Sequence, residues 1–390
     1  MRKTRESRLR KIKRAVGRTA IGVAELAYTV VTRFLSTPVR RPIAEDAVHN
    51  ILVVDLLRIG DTVVATPAIH ALKDAFPKAH LTVMVQPMIR PLLAADPLID
   101  ELIPPSLRPH ARRFDLAVVL DTSLRGNLIA WLSRAPVRVG YDSFGRGFTL
   151  THRIPAPSYW NTATWDYRRN EQVRHQVDSW LDLVESIGIR PRHRGPRLYV
   201  GDAARQRVRK FFEKNDVDAT SLKIALHPGS NESYLWRSER FARVADFLTT
   251  QHAAQVFITG SRADGVLAAD IQRNMTGKAI STTGLGDLDV MTALLSEMDL
   301  VISVDTCATH IAAALGRPVI ALFGPGDPQI WRPYGRGHVV IRDEHSECLG
   351  CKRASCFREA HFCMDGITVE QVTATAAQAL RSIKHRGRTG

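Results

Sequence analysis

A carboxylate follows the first strongly apolar run of the chain, in the stretch LLRIGDTVVATP. Asp61 comes directly after Gly60, and glycine permits the tight turn that could end a buried strand. A carboxylate at such a strand end would face a cleft rather than the core. There Asp61 could act as a general base that takes a proton from a hydroxyl as it attacks an electrophile. A turn or capping aspartate is the structural alternative.

The stretch SVDTCATHIAAALGRP carries a second group of residues that are suited to binding. Asp305 ends an apolar strand, and a helix is predicted to start near Thr306. The free N–H groups and the positive dipole end of that helix would suit a phosphate. His310 follows within about one turn and could add a hydrogen-bond donor or a positive charge. A structural histidine, hydrogen-bonded inside the protein, is the alternative for His310.

Two further strand ends carry polar residues. HPGSNESYLWRSER places Ser230 and Asn231 as hydrogen-bond donors just past one strand, with Arg237 as a nearby cation. ITGSRADG places Asp264 just past another strand, where a carboxylate can accept hydrogen bonds from ribose hydroxyls. Neither a G-x-G-x-x-G pattern nor a Walker A pattern occurs, so a dinucleotide site and an ATP-hydrolysing site are not supported.

These strand ends belong to two runs of alternating strands and helices. The strands are apolar throughout, which is typical of parallel sheets covered on both faces. In the first run, Thr66 and Pro67 predict the start of a helix, with Thr66 as N-cap. The Pro-, Gly- and Arg-rich segment Ser186–Val200 predicts a linker. We therefore predict an α/β protein with two Rossmann-like parallel-sheet domains that face a cleft, where ligands bind at the carboxyl ends of strands.

The predicted divisions are an N-terminal arm over 1–47, a first domain over 48–190, and a second domain over 191–390 that includes a Cys-rich segment at 348–363 and a C-terminal helix.

The arm holds much of the formal net charge of +15, because residues 1–46 contain 12 Lys and Arg against 4 Asp and Glu. Its apolar part has helical spacing but is short for a membrane span, which needs about 20 residues. A basic amphipathic helix on an anionic membrane surface is the favoured interpretation. A disordered tail, a helix packed on the body and a membrane span are the alternatives. No aromatic residues interleave with the basic run, so nucleic-acid binding is not expected.

Four of the five cysteines lie within ECLGCKRASCFREAHFCMDG, at Cys348, Cys351, Cys356 and Cys363. Their spacing does not match a zinc ribbon well. Packed or hydrogen-bonded thiols are the favoured interpretation, a structural zinc or iron–sulfur site is the main alternative, and disulfides come third. The fifth, Cys307, is expected to pack at a helix start.

Together these stretches resemble glycosyltransferase family 9, the heptosyltransferases that build the inner core of lipopolysaccharide from ADP-heptose. The resemblance runs from about Asn50 to Val372. It implies a GT-B fold, with an acceptor-binding domain followed by a nucleotide-sugar-binding domain. It also implies a role for several candidate residues: Asp61 as catalytic base, Asp305, Thr306 and His310 at the sugar and diphosphate of the donor, and Asp264 near the donor ribose. Ser230, Asn231 and Arg237, which follow another strand, are further candidates for the donor site, and no acceptor-binding residue is predicted.

Two positions depart from the family pattern. Tyr234 stands two residues before Trp236, where the family often has a lysine that contacts the diphosphate. Arg237 is the candidate replacement for that positive charge. Cys307 stands where the family usually has glycine, which narrows the space at the helix start.

The resemblance implies an inverting glycosyltransferase that moves a heptose, with ADP-heptose as the expected donor, to a lipopolysaccharide core or another lipid-linked glycan. No D-x-D cluster lies at a plausible metal position, so no metal ion or other cofactor is expected to be required. The basic arm suits a cytoplasmic enzyme bound peripherally to the inner face of the membrane. Transfer of a different sugar in capsule or O-antigen assembly is one alternative. Non-catalytic binding of a nucleotide-sugar is the other, and the missing lysine at Tyr234 favours it.

Overall fold

The computed structural model describes residues 43, 45–107, 112–157, 160, 173–346, 348–356 and 362–386. Most of the predicted N-terminal arm therefore lies outside the described residues. The described chain contains two six-stranded sheets, and all neighbouring strands in them are parallel. Within these ranges, no helix combines the length and the apolar character that a membrane crossing requires.

The first sheet has the strand order β3-β2-β1-β4-β5-β6. Its strands are β1 (Asn50–Asp55), β2 (His80–Val85), β3 (Glu101–Ile103), β4 (Leu116–Val119), β5 (Val137–Asp142) and β6 (His152–Pro155). The second sheet has the order β12-β11-β10-β7-β8-β9. Its strands are β7 (Lys223–His227), β8 (Gln255–Ile258), β9 (Ile280–Ser281), β10 (Leu300–Val304), β11 (Val319–Leu322) and β12 (Val339–Ile341).

The two sheets share one topology. In each, the strand that comes first along the chain lies centrally beside the fourth, so the order reverses between β1 and β4 and again between β7 and β10. This is the strand order of a Rossmann fold, in which ligands bind outside the carboxyl ends of the strands at the point of reversal. The predicted fold, with two Rossmann-like parallel-sheet domains, is confirmed.

Helices cover the sheets. In the first half of the described chain they are α1 (Ile59–Ala75), α2 (Arg90–Leu93), α3 (Leu124–Leu132) and α4 (Gln176–Glu185). In the second half they are α5 (Asp202–Lys214), α6 (Ser238–His252), α7 (Gly265–Asn274), α8 (Leu288–Ser296), α9 (Cys307–Ala314), α10 (Pro328–Trp331), α11 (Phe362–Asp365) and α12 (Val369–Arg386).

The start of α1 differs from the sequence prediction. The helix begins at Ile59, so Pro67 lies inside it and Thr66 is not its N-cap. A proline inside a helix deprives the carbonyl four residues earlier of its N–H partner. Here that carbonyl belongs to Val63, and the Thr66 hydroxyl donates to it at 2.8 Å. Thr66 thus supplies a hydrogen-bond donor for this carbonyl, and the helix continues through Pro67. Because the helix begins at Ile59, Asp61 lies in its first turn.

The two domains share an apolar core. One cluster of buried side chains runs from Val53 on β1 through Ile69 on α1 to Ile311 on α9 and Phe323 after β11. The helices α1 and α9 pack against each other across the domain boundary. Since α1 follows β1 and α9 follows β10, this contact brings together the carboxyl ends of one central strand from each sheet.

Candidate active site

A cleft of about 830 Å³ lies where the reversal points of the two sheets face each other. The segments after β1, β4, β7 and β10 all contribute to its wall. Six of the eight candidate residues line this cleft: Asp61, Ser230, Asn231, Asp305, Thr306 and His310. Its volume lies within the roughly 300–1,000 Å³ that is usual for small-molecule sites.

Two carboxylates from opposite domains lie in this cleft. Burial raises the pKa of Asp61 to about 6, although the positive charge of Arg58 opposes the shift. Burial, together with the nearby carboxylates of Asp61 and Asp327, raises the pKa of Asp305 to about 7. A raised pKa brings a carboxyl group closer to the range in which it can accept a proton from a reacting hydroxyl.

Gly60 has a different role from the one that its sequence position suggests. It is the second residue of α1, and its φ angle is not positive, so no left-handed turn requires glycine there. Instead, a Cβ atom at this position would lie 3.0 Å from Cδ2 of His310. Glycine therefore allows the N-terminal turn of α1 to approach α9, which holds Asp61 beside the α9 wall of the cleft.

His310 is a neutral hydrogen-bonding group and not a cation. Its side chain is buried, and burial lowers its pKa to about 3. The ring packs edge-on against Trp331 at 6.0 Å between centroids. Its Nδ1 atom is buried and has no hydrogen-bond partner among the described residues. Since unpaired buried polar atoms are costly, His310 is suited to hydrogen-bond a ligand in the cleft.

The start of α9 forms the other wall. Thr306 is the N-cap residue, but its side chain makes no capping hydrogen bond, so the first N–H groups of the helix are not occupied by it. The Ser230 hydroxyl donates to the carbonyl of Asp305 at 3.3 Å, which ties the loop after β7 to this helix start. Free N–H groups at a helix N-terminus are suited to a phosphate.

Two predicted donor residues do not line the cleft. The guanidinium of Arg237 donates to both carboxylate oxygens of Asp365, at 2.6 and 2.7 Å. The Asp264 carboxylate accepts hydrogen bonds from the backbone N–H and the hydroxyl of Ser261, at 2.7 and 2.6 Å. Asp264 therefore caps the short helical turn after β8. The ribose and diphosphate contacts that we predicted for these two residues remain predictions.

Other cations line the cleft. They are Arg58, Arg125 and Lys352, none of which was predicted from the sequence. Lys352 lies between two cysteines, in a segment without periodicity, so only its charge could have drawn attention to it. Its backbone N–H donates to the carbonyl of Pro325 at 2.9 Å, and its φ angle of 54° is rare for a residue other than glycine. Such backbone conformations are often found at binding sites.

Comparison with known proteins identifies the family. A family model described as glycosyltransferase family 9 (heptosyltransferase) matches residues 107–361, which is more than half of the chain. The chain belongs to glycosyltransferase family 9. The resemblance inferred from the sequence is thus confirmed, and this family 9 protein is a glycosyltransferase.

Individual relatives match more of the chain than the family model does. Lipooligosaccharide heptosyltransferase 2 of Haemophilus ducreyi is 24% identical over 354 residues, which cover 85% of this chain and 99% of that protein. A solved glycosyl transferase family 9 structure from Veillonella parvula aligns with a TM-score of 0.73 at 23% identity, covering 86% of this chain and 97% of the other. ADP-heptose lps heptosyltransferase II of E. coli aligns with a TM-score of 0.69 at 22% identity, covering 87% and 99%. The family 9 chain therefore has the GT-B architecture that we predicted.

The Cys-rich segment of this family 9 protein supports the cleft. The carbonyls of Arg353 and Ala354 accept hydrogen bonds from the hydroxyl and the N–H of Ser233, which fixes the segment beside the loop after β7.

None of the five cysteines, all of which are described, forms a disulfide. Burial and the other three thiols of the cluster raise the pKa of Cys363 to about 12. Among the described residues, no three His, Cys, Asp or Glu side chains form a group that could hold a metal ion. The candidate metal site at Cys348, Cys351, Cys356 and Cys363 stays a prediction.

We expect Asp305→Asn to raise the melting temperature more at pH 8 than at pH 5. The folded-state pKa of Asp305 is about 7, well above its usual value of 3.8, so folding favours the protonated carboxyl. The stability that this provides at low pH is lost as the pH rises through about 7, because the folded chain must then hold a buried charge. Asparagine is neutral at every pH and avoids this loss.

Differential scanning calorimetry at the two pH values measures this effect. Glu297→Gln is the control, because Glu297 is exposed and lies outside the cleft. An equal change in melting temperature at both pH values would contradict the burial of a titrating Asp305.

Proposed function

We propose that this glycosyltransferase moves a heptose from ADP-heptose to a lipopolysaccharide core or a related lipid-linked glycan, with inversion at the anomeric carbon. The observation that carries the proposal is the meeting of Asp61, from the first domain, with the α9 N-terminus of the second domain in one cleft. A base from one domain thus lies beside a phosphate-suited site from the other. The heptosyltransferase names of the relatives support the choice of sugar.

The proposed reaction is a single displacement. An acceptor hydroxyl attacks the anomeric carbon, its proton passes to Asp61, and the bond from that carbon to the diphosphate breaks. An ordinary aspartate, with a pKa near 3.9, is too weak to ionise a sugar hydroxyl beforehand, so the proton moves as the bond forms. The pKa of about 6 makes Asp61 a stronger base than an exposed aspartate while leaving it largely ionised at neutral pH.

The leaving nucleoside diphosphate needs compensation for its negative charge. The N–H groups at the start of α9 are suited to its phosphate oxygens, and the Ser230 hydroxyl could turn from the carbonyl of Asp305 to donate to one of them. We propose that Lys352, with Arg58 and Arg125, supplies the positive charge that the family's usual lysine would provide at Tyr234. Tyr234 lines the cleft, and burial and the Asp305 carboxylate raise the pKa of its hydroxyl, so it stays neutral.

The site of action follows from the acceptor. A lipid-linked glycan is held at a membrane, and the basic residues of the N-terminal arm suit an anionic lipid surface. We propose that the enzyme works at the cytoplasmic face of the membrane, with the arm as its peripheral attachment.

A donor comparison tests the proposed function. Wild type is incubated with ADP-heptose and with UDP- and GDP-sugars, and both the thermal shift and the transfer to a heptose-deficient core are measured. The largest shift and turnover are expected with ADP-heptose. A larger response to another nucleotide would favour a different sugar, and binding without turnover on any acceptor would favour a non-catalytic protein.

The same assay compares Lys352 with Arg237 as the cation that contacts the phosphate. Lys352→Gln should weaken ADP binding by roughly 10–100-fold, since a hydrogen bond to a charged group contributes about 1.5–3 kcal/mol. Arg237→Gln is the matched variant, because it removes the same charge outside the cleft. Weaker ADP binding in Arg237→Gln alone would restore Arg237 as the phosphate contact.

A further inference from the structure

A second cavity opens beside Asp61. Its volume is about 260 Å³, and Asp61, Trp331 and Lys352 line both this cavity and the cleft. The first domain contributes two more tryptophans to its wall, Trp160 and Trp180. We call this space the tryptophan cavity. The proposed base thus lies at the junction between the two spaces.

Packing fixes the tryptophans of the first domain. The ring centroids of Trp160 and Trp180 are 5.3 Å apart, and the ring of Tyr141 lies edge-on to them at 4.7 and 6.0 Å. The indole N–H of Trp160 donates to Oε1 of Gln176 at 3.1 Å. The Tyr141 hydroxyl donates to the carbonyl of Ser179. Because these rings are already ordered, a ligand would bind without the entropic cost of fixing them.

A hydrogen bond between domains holds the two sides of the cavity together. Trp180 lies on α4, whose N-cap residue is His175. Nδ1 of His175 accepts a hydrogen bond from the N–H of Val177 at 3.1 Å, so Nε2 carries the proton and donates to the carbonyl of Arg332 at 2.8 Å. Arg332 follows Trp331 directly. Burial lowers the pKa of His175, which maintains this neutral arrangement.

Size distinguishes the occupants of the two spaces. The volume of about 830 Å³ in the cleft suits a nucleotide-sugar. The tryptophan cavity, at about 260 Å³, is smaller than the usual pocket for a whole ligand and suits a single ring. A nucleotide-sugar in the cleft would leave the cavity free for the other substrate.

The chemistry of the wall indicates what kind of ring this is. A sugar ring has an apolar C–H face, which can lie against an indole, and hydroxyl groups around its edge. The Trp180 side chain is 3% exposed, and its buried Nε1 has no partner among the described residues. A hydroxyl oxygen could accept a hydrogen bond from it, and another hydroxyl could donate to Asp61.

We propose that the tryptophan cavity is the acceptor subsite. It binds one sugar ring of the acceptor glycan, with the C–H face of that ring against Trp160 and Trp180. A ring hydroxyl then points to Asp61, which takes its proton as the hydroxyl attacks the donor in the cleft. This inference rests on the proposed function, because it takes Asp61 as the base.

The test separates acceptor binding from donor binding. Binding of a deacylated lipopolysaccharide-core oligosaccharide is measured by saturation-transfer NMR, and binding of ADP by thermal shift. Trp160→Ala should abolish saturation transfer to the sugar C–H protons and raise the acceptor KM by tenfold or more, while ADP binding is unchanged. Trp160→Phe keeps an aromatic face and should retain most of the binding. Trp180→Phe removes the indole N–H while an aromatic ring still fills the site, so it tests the proposed hydrogen bond from Trp180 to a sugar hydroxyl.

Trp131→Ala is the control, because Trp131 is 54% exposed and lines neither the cleft nor the cavity. Oligosaccharide binding that is equal in Trp160→Ala and wild type, or that wild type lacks, would overturn the inference. An equal loss of ADP affinity in Trp160→Ala would overturn it too, since the cavity would then belong to the donor. Oligosaccharide binding that depends on Trp160 without any turnover would support the subsite and refute the proposed transfer of a heptose to that core.

Discussion

Asp61→Asn is expected to reduce the rate of sugar transfer by about 10²–10⁴-fold, the usual contribution of a general base. Asparagine keeps the size of the side chain but cannot accept the proton of the attacking hydroxyl. The contacts proposed for the donor diphosphate come from α9, Ser230 and Lys352, so ADP affinity should stay close to that of wild type. Steady-state kinetics and ADP titration measure the two quantities on the same preparation.

The pH dependence gives a second measurement of the same residue. The wild-type rate should fall as the pH decreases through about 6, because Asp61 is then protonated and cannot act as a base. Asp305, whose pKa is about 7, titrates close by, so the observed profile belongs to the pair. The residual activity of Asp61→Asn should lack the decrease near pH 6.

Asp74→Asn is the matched control for Asp61→Asn. It makes the same substitution near the other end of α1, outside the cleft. It should transfer sugar at the wild-type rate. Substantial activity in Asp61→Asn, or an equal loss in Asp74→Asn, would show that Asp61 is not the base.

The fold was largely predictable because the central strands are continuous apolar runs. The apolar runs NILVVDLL, FDLAVVLDTS, KIALHPGS and LVISVD predict four strands and form β1, β4, β7 and β10, since burial on both faces favours apolar residues at nearly every position. Two edge strands were not predicted. β3 has only three residues and includes the exposed Glu101, and β6 reads HRIP and ends at a proline. Edge strands need less apolar surface, so their sequences resemble loops.

The site was predictable where a residue directly follows a strand. Asp305 and Ser230 lie within three residues of their strands and reach the cleft, because the carboxyl ends of parallel strands meet at one edge of the sheet. Arg237 lies farther along the chain, and the position of Asp365, its partner, could not be foreseen from spacing. Lys352 reaches the cleft through a nonperiodic loop. The contact between Gly60 and His310 depends on how the two domains pack, which no local pattern encodes.

The second large effect is expected at a glycine. A Cβ atom at Gly326 would lie 1.8 Å from Oδ2 of Asp305 and 3.0 Å from its Cγ. Gly326 does not have a positive φ angle, so alanine would not strain the backbone through φ. The Asp305 carboxyl would have to rotate away, at the α9 side of the cleft. Since a displacement of about 1 Å in an active site can cost around 10²-fold in rate, we expect Gly326→Ala to reduce kcat/KM for the donor by that order.

Gly265→Ala separates this steric effect from the general consequences of adding a methyl group. A Cβ atom at Gly265 would lie 3.7 Å from Oγ1 of Thr283, which is an ordinary contact, and Gly265 begins α7 with a φ angle of −58°. Alanine there should leave transfer unchanged and could stabilise the chain by about 0.4–1 kcal/mol. Gly326→Ala should instead lower donor kcat/KM while thermal unfolding shows an intact fold. Wild-type kinetics in Gly326→Ala would mean that the position of the Asp305 carboxyl does not control donor use.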